Sequence, residues 1–423
     1  MRVLILTLGS RGDVEPFIAL AQGLAAAGHA PSLCAPASFE LDIRGHGVDY
    51  RPMDDGFVEL ARSLEGQAAF EDMGQLLGAL KTVVRLLPKA DALQDVLLDD
   101  AWRAAEAVRP DLIIFHPKLP GAVDIAEAFD VPSVMAPLFP QYVPTAAFPT
   151  LGFPDLPLGA TYRRATYRLV HALAGRIGGG PVRRFRRRRG WPVRPAAMGL
   201  MTDHRGRPVP VLHGFSPTLC ERPSDWPSSA VVTGHWPLSL INASLPDALQ
   251  RFLSDGPPPV YVGFGSMAGR DPQRTTRHVI DALRRAGCRG LLAGGWGGLV
   301  DTGGAADLFH IDAAPHAALF PRVAAVVHHG GAGTTHAALR AGRPSMLCPF
   351  FGDQPFWARR VVQLGVGPAP VPQRRLDVVQ LAHALSEAVG DAGIRARAAA
   401  VGERMAQEDG VATAVAMLER VVG

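Results

Sequence analysis

No apolar stretch in this sequence approaches the ~20 residues that a membrane-spanning helix needs. The first apolar run, Val3 to Leu8, covers six residues, and Gly9-Ser10-Arg11-Gly12-Asp13 follows it directly. That is too short for a secretory h-region. Cysteine is scarce. Cys34, Cys220, Cys288 and Cys348 lie far apart, with no CxxC pair and no Cys/His spacing of a metal site. This excludes a disulfide scaffold and points to reduced thiols in a cytoplasmic protein. Charged residues make up only 19% and the net charge is +4, against 48% hydrophobic residues. Bulk disorder is excluded. Acidic residues are missing altogether between Arg163 and Arg194, where arginine recurs at Arg163, Arg164, Arg168, Arg176, Arg183, Arg184 and Arg186 to Arg189. Such a segment suits a solvated helical face or a weak peripheral contact with an anionic membrane surface. Aromatics do not interleave it as base stacking requires, so no nucleic-acid partner is expected.

What is present is a repeated α/β pattern. Val3 to Leu8 reads as a buried parallel strand, followed by a helix-period stretch from Pro16 to Ala27 and a stop at Gly28. His29–Ala35, Asp111–Phe115 and Val131–Ala136 read as further strands, with a helix over Gly121–Phe129. The segment from Gly56 to Val108 reads as mostly helical. The pattern restarts at Pro259–Phe264 and continues through a helix over Pro272–Ala286 and strands at Gly290–Ala293, Leu308–Ile311, Ala324–His328 and Pro344–Pro349. Alternating strands and helices imply two doubly wound parallel sheets. The expected domains are residues 1–240 and 241–400, with a linker near Pro237 to Leu245. A last helical stretch, about Ala392 to Val422, is expected to return to the first domain, which assigns residues 401–423 to that brace. Two such halves create a cleft, and ligands bind at the carboxyl ends of the strands.

The strongest local motif is His328-His329-Gly330-Gly331-Ala332-Gly333-Thr334-Thr335, after a buried strand and opening a helix. Glycines allow close backbone approach, and the free N–H groups of a helix start attract anions. Thr334, Thr335 and His329 add donors for a phosphate. Gly265-Ser266-Met267 ends another strand and would face the same cleft. Two such loops can clamp a diphosphate without a metal. The spacing is neither that of a P-loop nor that of a dinucleotide fingerprint.

The segment from His329 to Gln354 resembles the signature segment of the family 1 glycosyltransferases, the UDP-glycosyltransferase superfamily. The nearest likeness is to its bacterial antibiotic and sterol branch. The resemblance implies the GT-B fold, two Rossmann-like domains facing a cleft. It implies that His329, Gly331, Gly333 and Thr334 contact the donor diphosphate together with Gly265 and Ser266. Asp353 and Gln354 would hold the sugar hydroxyls. Pro315 and His316 stand where the family receives the nucleoside. Plant members have a Trp and a Glu for base and ribose, and gap-free alignment puts Ile311 and Ala337 there. The nucleotide, UDP or dTDP, therefore stays open. Trp296 is shared with the sterol branch and reads as packing.

Asp13 closes the first strand loop. Read from residues alone, it is either an ionised carboxylate able to take a hydroxyl proton or the N-cap of the helix Val14–Ala27. The resemblance favours the base, because the family places a His or Asp there. Ser10, His116, Phe139, Tyr142 and Phe148 are expected around the acceptor, a lipophilic molecule such as a polyketide, macrocycle, glycopeptide or sterol-like ring. His116 reads as a loop histidine or a second acid/base. The implied reaction is inverting transfer of a hexose or deoxyhexose from the nucleotide sugar to an acceptor hydroxyl. No cofactor and no metal are implied, and the sequence has no Asp-x-Asp triplet. The protein would act as a monomer or homodimer. The rivals are a nucleotide-sugar epimerase or hydrolase on the same fold, and a non-catalytic binding partner of another transferase.

Overall fold

The computed structural model describes residues 1–63, 76–193, 201–203, 205–238, 244–265, 271–295, 299–300 and 305–422. Ser266, Trp296, Arg194 and the middle of the expected linker lie outside the described residues.

The first sheet holds β1 (Arg2–Leu6), β2 (Ala30–Pro36), β3 (Asp49–Met53), β4 (Leu112–Phe115), β5 (Ser133–Met135), β6 (Val211–His213) and β7 (Ala230–Val232). Their order is β3-β2-β1-β4-β5-β6-β7, and every pairing is parallel. The second holds β8 (Val260–Gly263), β9 (Gly290–Ala293), β10 (Leu308–Ile311), β11 (Ala325–His328) and β12 (Ser345–Leu347), ordered β10-β9-β8-β11-β12. It is parallel throughout. The apolar runs are continuous because both faces are covered. Leu4, Leu6, Ile113 and Phe115 pack on one side of the first sheet, and Val3, Ile5, Leu112 and Ile114 on the other. Full burial of each such side chain contributes about 1.5–3 kcal/mol.

Helix α1 (Arg11–Ala26) begins earlier than the hydrophobic period suggests. Its N-cap is Ser10, and Asp13 stands three residues on, inside the first turn. Asp13 is therefore not the cap. Ser10 N–H and Oγ–H both donate to Asp13 Oδ2, at 2.8 and 3.1 Å. The helix ends at Gly28, whose φ of +82° suits glycine. The further helices of the first domain include α2 (Leu76–Val108), α3 (Ala122–Ala128) and α4 (Gly159–Arg188).

The arginine-rich segment lies mostly on α4, and much of its charge is matched. Arg184 meets Asp91 and Asp95, while Arg188 and Arg189 meet Asp99, all three carboxylates on α2. Arg186 meets Asp124 on α3 and Glu127. Arg163 and Arg164 pair with Asp155 and Asp225. The carboxylates come from elsewhere in the chain, which a window over the segment does not include.

The second domain carries α5 (Pro272–Arg285), α6 (Ala332–Arg340), α7 (Gln354–Leu364) and α8 (Ala392–Ala406). The expected single helix over Ala392–Val422 is broken at Gln407 to Asp409. Asp409 Oδ1 caps the next helix, α9 (Gly410–Val422), through Ala412 N–H at 2.9 Å. Helix α9 lies on α1 in the first domain, where Ala414, Val415 and Leu418 join its core. Gly23 of α1 leaves the room that Val411 fills. The domains also meet at Ser216, whose N–H donates to His336 Nε2 at 3.0 Å and whose Oγ–H donates to Glu408 at 2.7 Å.

Candidate active site

Register brings the first half of the site together. Leu6 of β1 pairs with Phe115 of β4, so the residues after both strands emerge side by side. The β1 loop delivers Asp13, and the β4 loop delivers His116 and Lys118. Lys118 Nζ stands 2.9 Å from Asp13 Oδ1, and His116 Nε2 stands 3.4 Å from the same oxygen. His116 Nδ1 accepts a hydrogen bond from Lys118 N–H at 3.2 Å. A neutral His116 therefore carries its hydrogen on Nε2, facing Asp13. His116 is 1% exposed. It sits behind Asp13 and orients it, and does not line an acceptor surface as expected.

Burial alone would push Asp13 up. The Lys118 charge and the His116 contacts outweigh it and hold the carboxyl well below the usual carboxylate range. Burial holds His116 neutral against the pull of Asp13. Tyr142 is pushed up to about 12, first by burial and then by the Asp13 charge. Its φ of +74° is a strained setting for an aromatic residue. Phe139 packs partly buried beside it, against the cores on both faces of the first sheet. Phe148 reaches the other domain and meets Phe356 edge-on at 5.3 Å.

The second half of the site is the turn from β11 into α6. The helix starts at Ala332 with Gly331 as N-cap. The first-turn N–H groups thus belong to Ala332, Gly333 and Thr334. Nothing crowds Gly333, where an added Cβ would meet open space. An added Cβ on Gly331 would lie 2.6 Å from His329 Nε2, so the His329 ring demands a glycine there. Gly265, with φ +62°, packs against the other edge of the same ring. Nδ1 of His329 is buried without a protein partner. Thr335 is not available to a ligand; it is buried, and its hydroxyl donates back to Gly331 O at 2.9 Å.

His316 stacks on Phe320 at 4.3 Å and meets Tyr261 edge-on at 5.9 Å. Burial, then the Arg11 charge, push it down to about 4. The charge of Arg11, a first-domain residue that sequence reasoning passed over, is thus felt at His316 in the second domain. Gln354 is buried and its Oε1 accepts from Phe350 N–H at 2.7 Å. Asp353 caps α7 and accepts from Trp357 Nε1–H at 2.9 Å.

Burial pushes Asp353 up to about 6, and the Asp13 charge adds to the rise. Two carboxylates from different domains thus feel each other in one cleft. A folded-state value near 6 above the usual 3.8 means that the folded protein holds the extra proton. That contribution is present at low pH and is lost as pH rises through about 6. Asp353→Asn is expected to gain about 2 kcal/mol at pH 8, and nothing at pH 4. Thermal melts at both values check this, and a variant no more stable than the parent at pH 8 refutes it.

Residues 3–148 match the model of the glycosyltransferase family 28 N-terminal domain, and residues 306–420 match the erythromycin biosynthesis protein CIII-like C-terminal domain. Between them they cover more than half of the chain. The sterol 3-beta-glucosyltransferase of Emericella nidulans is 36% identical over 434 residues, covering 99% of this chain and 30% of the relative. That of Aspergillus terreus is 35% identical over 438 residues, covering 99% of this chain and 30% of the relative. The chain thus spans about 30% of the length of these relatives. Among solved structures, spinosyn forosaminyltransferase SpnP aligns with a TM-score of 0.70 at 16% identity, covering 100% of this chain and 99% of that one. Glycosyltransferase VinC in complex with DTDP aligns with 0.66 at 21%, with the same coverage. The chain belongs to the family 1 glycosyltransferases and has their GT-B fold.

Proposed function

We propose that this chain transfers a hexose or deoxyhexose from UDP- or dTDP-sugar to a hydroxyl of a lipophilic acceptor, with inversion and without a metal. The observation that carries the reading is the open N-terminus of α6, where Gly333 is uncrowded and His329 keeps an unpartnered Nδ1, together with a carboxylate at Asp13 held ionised. The acceptor hydroxyl would attack the anomeric carbon as Asp13 takes its proton. The diphosphate would leave onto the N–H groups of Ala332, Gly333 and Thr334 and onto His329, where charge develops. The unpartnered Nδ1 of His329 supports that role, since a buried polar atom without a partner is costly. Asp353 and Gln354 would orient the sugar, and Pro315 and His316 the nucleoside. A sterol-like acceptor is favoured by the sterol glucosyltransferase relatives. Four free cysteines, three of them buried, support a cytoplasmic setting.

The test is a donor and acceptor screen read by mass spectrometry, with UDP and dTDP thermal shifts beside it. Transfer to a 3β-hydroxysterol or a macrocycle is the expected result. Donor hydrolysis with no transfer to any acceptor would favour an epimerase or hydrolase. His329→Ala is expected to weaken UDP or dTDP binding by about 1–3 kcal/mol, roughly five- to 150-fold in Kd by titration calorimetry. Unchanged affinity would remove His329 from the site.

A further inference from the structure

We propose that Lys118 caps Asp13 in the resting protein, competes with the acceptor hydroxyl for it, and so guards the donor against hydrolysis. This rests on Asp13 being the base. A carboxylate has about four lone-pair positions. At Asp13 all four face donors. Oδ2 accepts from Ser10 N–H and Ser10 Oγ–H. Oδ1 faces Lys118 Nζ at 2.9 Å and His116 Nε2 at 3.4 Å. Nε2 of His116 forms no hydrogen bond at that distance, but its buried ring closes that side of Oδ1, so a hydroxyl reaches the carboxylate only where Lys118 stands.

Only Lys118 is placed to withdraw. Ser10 N–H belongs to the helix cap, and His116 is buried. The Lys118 side chain is 33% exposed and ends a flexible stem. Its ammonium also lies 5.7 Å from the centre of the Phe57 ring, which offers a cation a place on withdrawal. The β1 loop is shaped around the pair. An added Cβ on Gly9 would strike the Asp13 carboxylate and lie 2.7 Å from Lys118 Nζ. Gly9 also holds φ +132°.

The competition has a chemical consequence. With donor bound and no acceptor, a water at Asp13 could attack the anomeric carbon. Its oxygen would bond to the carbon, the bond to the diphosphate oxygen would break, and its proton would pass to Asp13. A capped Asp13 denies water that position. An acceptor held by its apolar body has the binding energy to displace the ammonium; a water does not. Loss of the cation also makes Asp13 a stronger base at the moment it is needed.

The experiment compares wild type, Lys118→Met, Lys118→Gln and Lys118→Arg. It measures nucleotide release from UDP-glucose and dTDP-glucose with and without acceptor. Lys118→Met and Lys118→Gln are expected to raise the ratio of hydrolysis to transfer about tenfold and to lower acceptor KM. Lys118→Arg keeps the ratio low. In the Met variant the Asp13 carboxyl moves up, because it loses its cation, so activity falls off on the acid side no lower than in wild type. The other groups facing Asp13, namely His116, Tyr142 and Asp353, are common to all variants. An unchanged ratio and KM in both folded variants overturns the proposal. Asp13→Asn is run in parallel. If it is inactive while the Lys118 variants behave as wild type, the base survives and the cap does not. If it is active, the base reading itself has failed.

Discussion

Asp13→Asn is expected to lower kcat by about 10²–10⁴-fold while leaving the thermal shift with UDP or dTDP in place. Asparagine keeps the shape of the side chain, so Ser10 and the first turn of α1 retain an acceptor. It cannot take a proton at neutral pH. The diphosphate contacts proposed here belong to the other domain, at Gly331 to Thr334 and His329. Chemistry and donor binding are thus separable by one substitution. Lys118 loses its counter-charge, but its side chain is 33% exposed and stays solvated. The folded protein holds Asp13 ionised well below the usual carboxylate range, so the variant should also be less stable at pH 7, and its kinetics are read below its melting range. Steady-state kinetics and a melt with nucleotide check both halves. Full activity in the variant would remove Asp13 from the mechanism. Loss of the nucleotide shift would mean that the cleft is assembled differently.

How much of this was legible beforehand follows from chemistry rather than luck. Strands β1, β4, β8 and β11 read clearly because runs of Val, Ile and Leu are buried on both faces and end at Gly, His or Pro. Strand β3 did not, because Asp49-Tyr50-Arg51-Pro52-Met53 mixes exposed charge with proline. Strands β6 and β7 are three residues each, too short to show a period. The donor loop was legible as a motif because its parts are contiguous. The surroundings of Asp13 were not. Lys118 and His116 reach it only through the pairing of Leu6 with Phe115, and no local window carries that register. The start of α1 was misplaced for a local reason. The hydrophobic period begins at Val14, whereas the helix begins where Ser10 can cap it.

Arg186→Met is expected to destabilise the first domain by about 3–5 kcal/mol. The guanidinium is 4% exposed and lies among Asp124, Glu127 and the Pro192 carbonyl. Its Nη1 meets Asp124 at 2.6 Å and Glu127 at 2.9 Å. Nη2 meets the second Glu127 oxygen at 3.1 Å, so the fork is bidentate. Methionine fills comparable space but takes the guanidinium away from buried Asp124, from Glu127 and from the Pro192 carbonyl. The cost of keeping Asp124 buried without this cation dominates. Arg188→Met is the control. Its side chain is 42% exposed, and its partners Asp95 and Asp99 stay solvated, so its cost should lie within about 1 kcal/mol. Urea unfolding of both variants at pH 7 separates the two cases. Equal, small effects would mean that the arginines of α4 are surface charge, free for an anionic partner. A large effect at Arg186 alone would place the centre of that segment inside the fold.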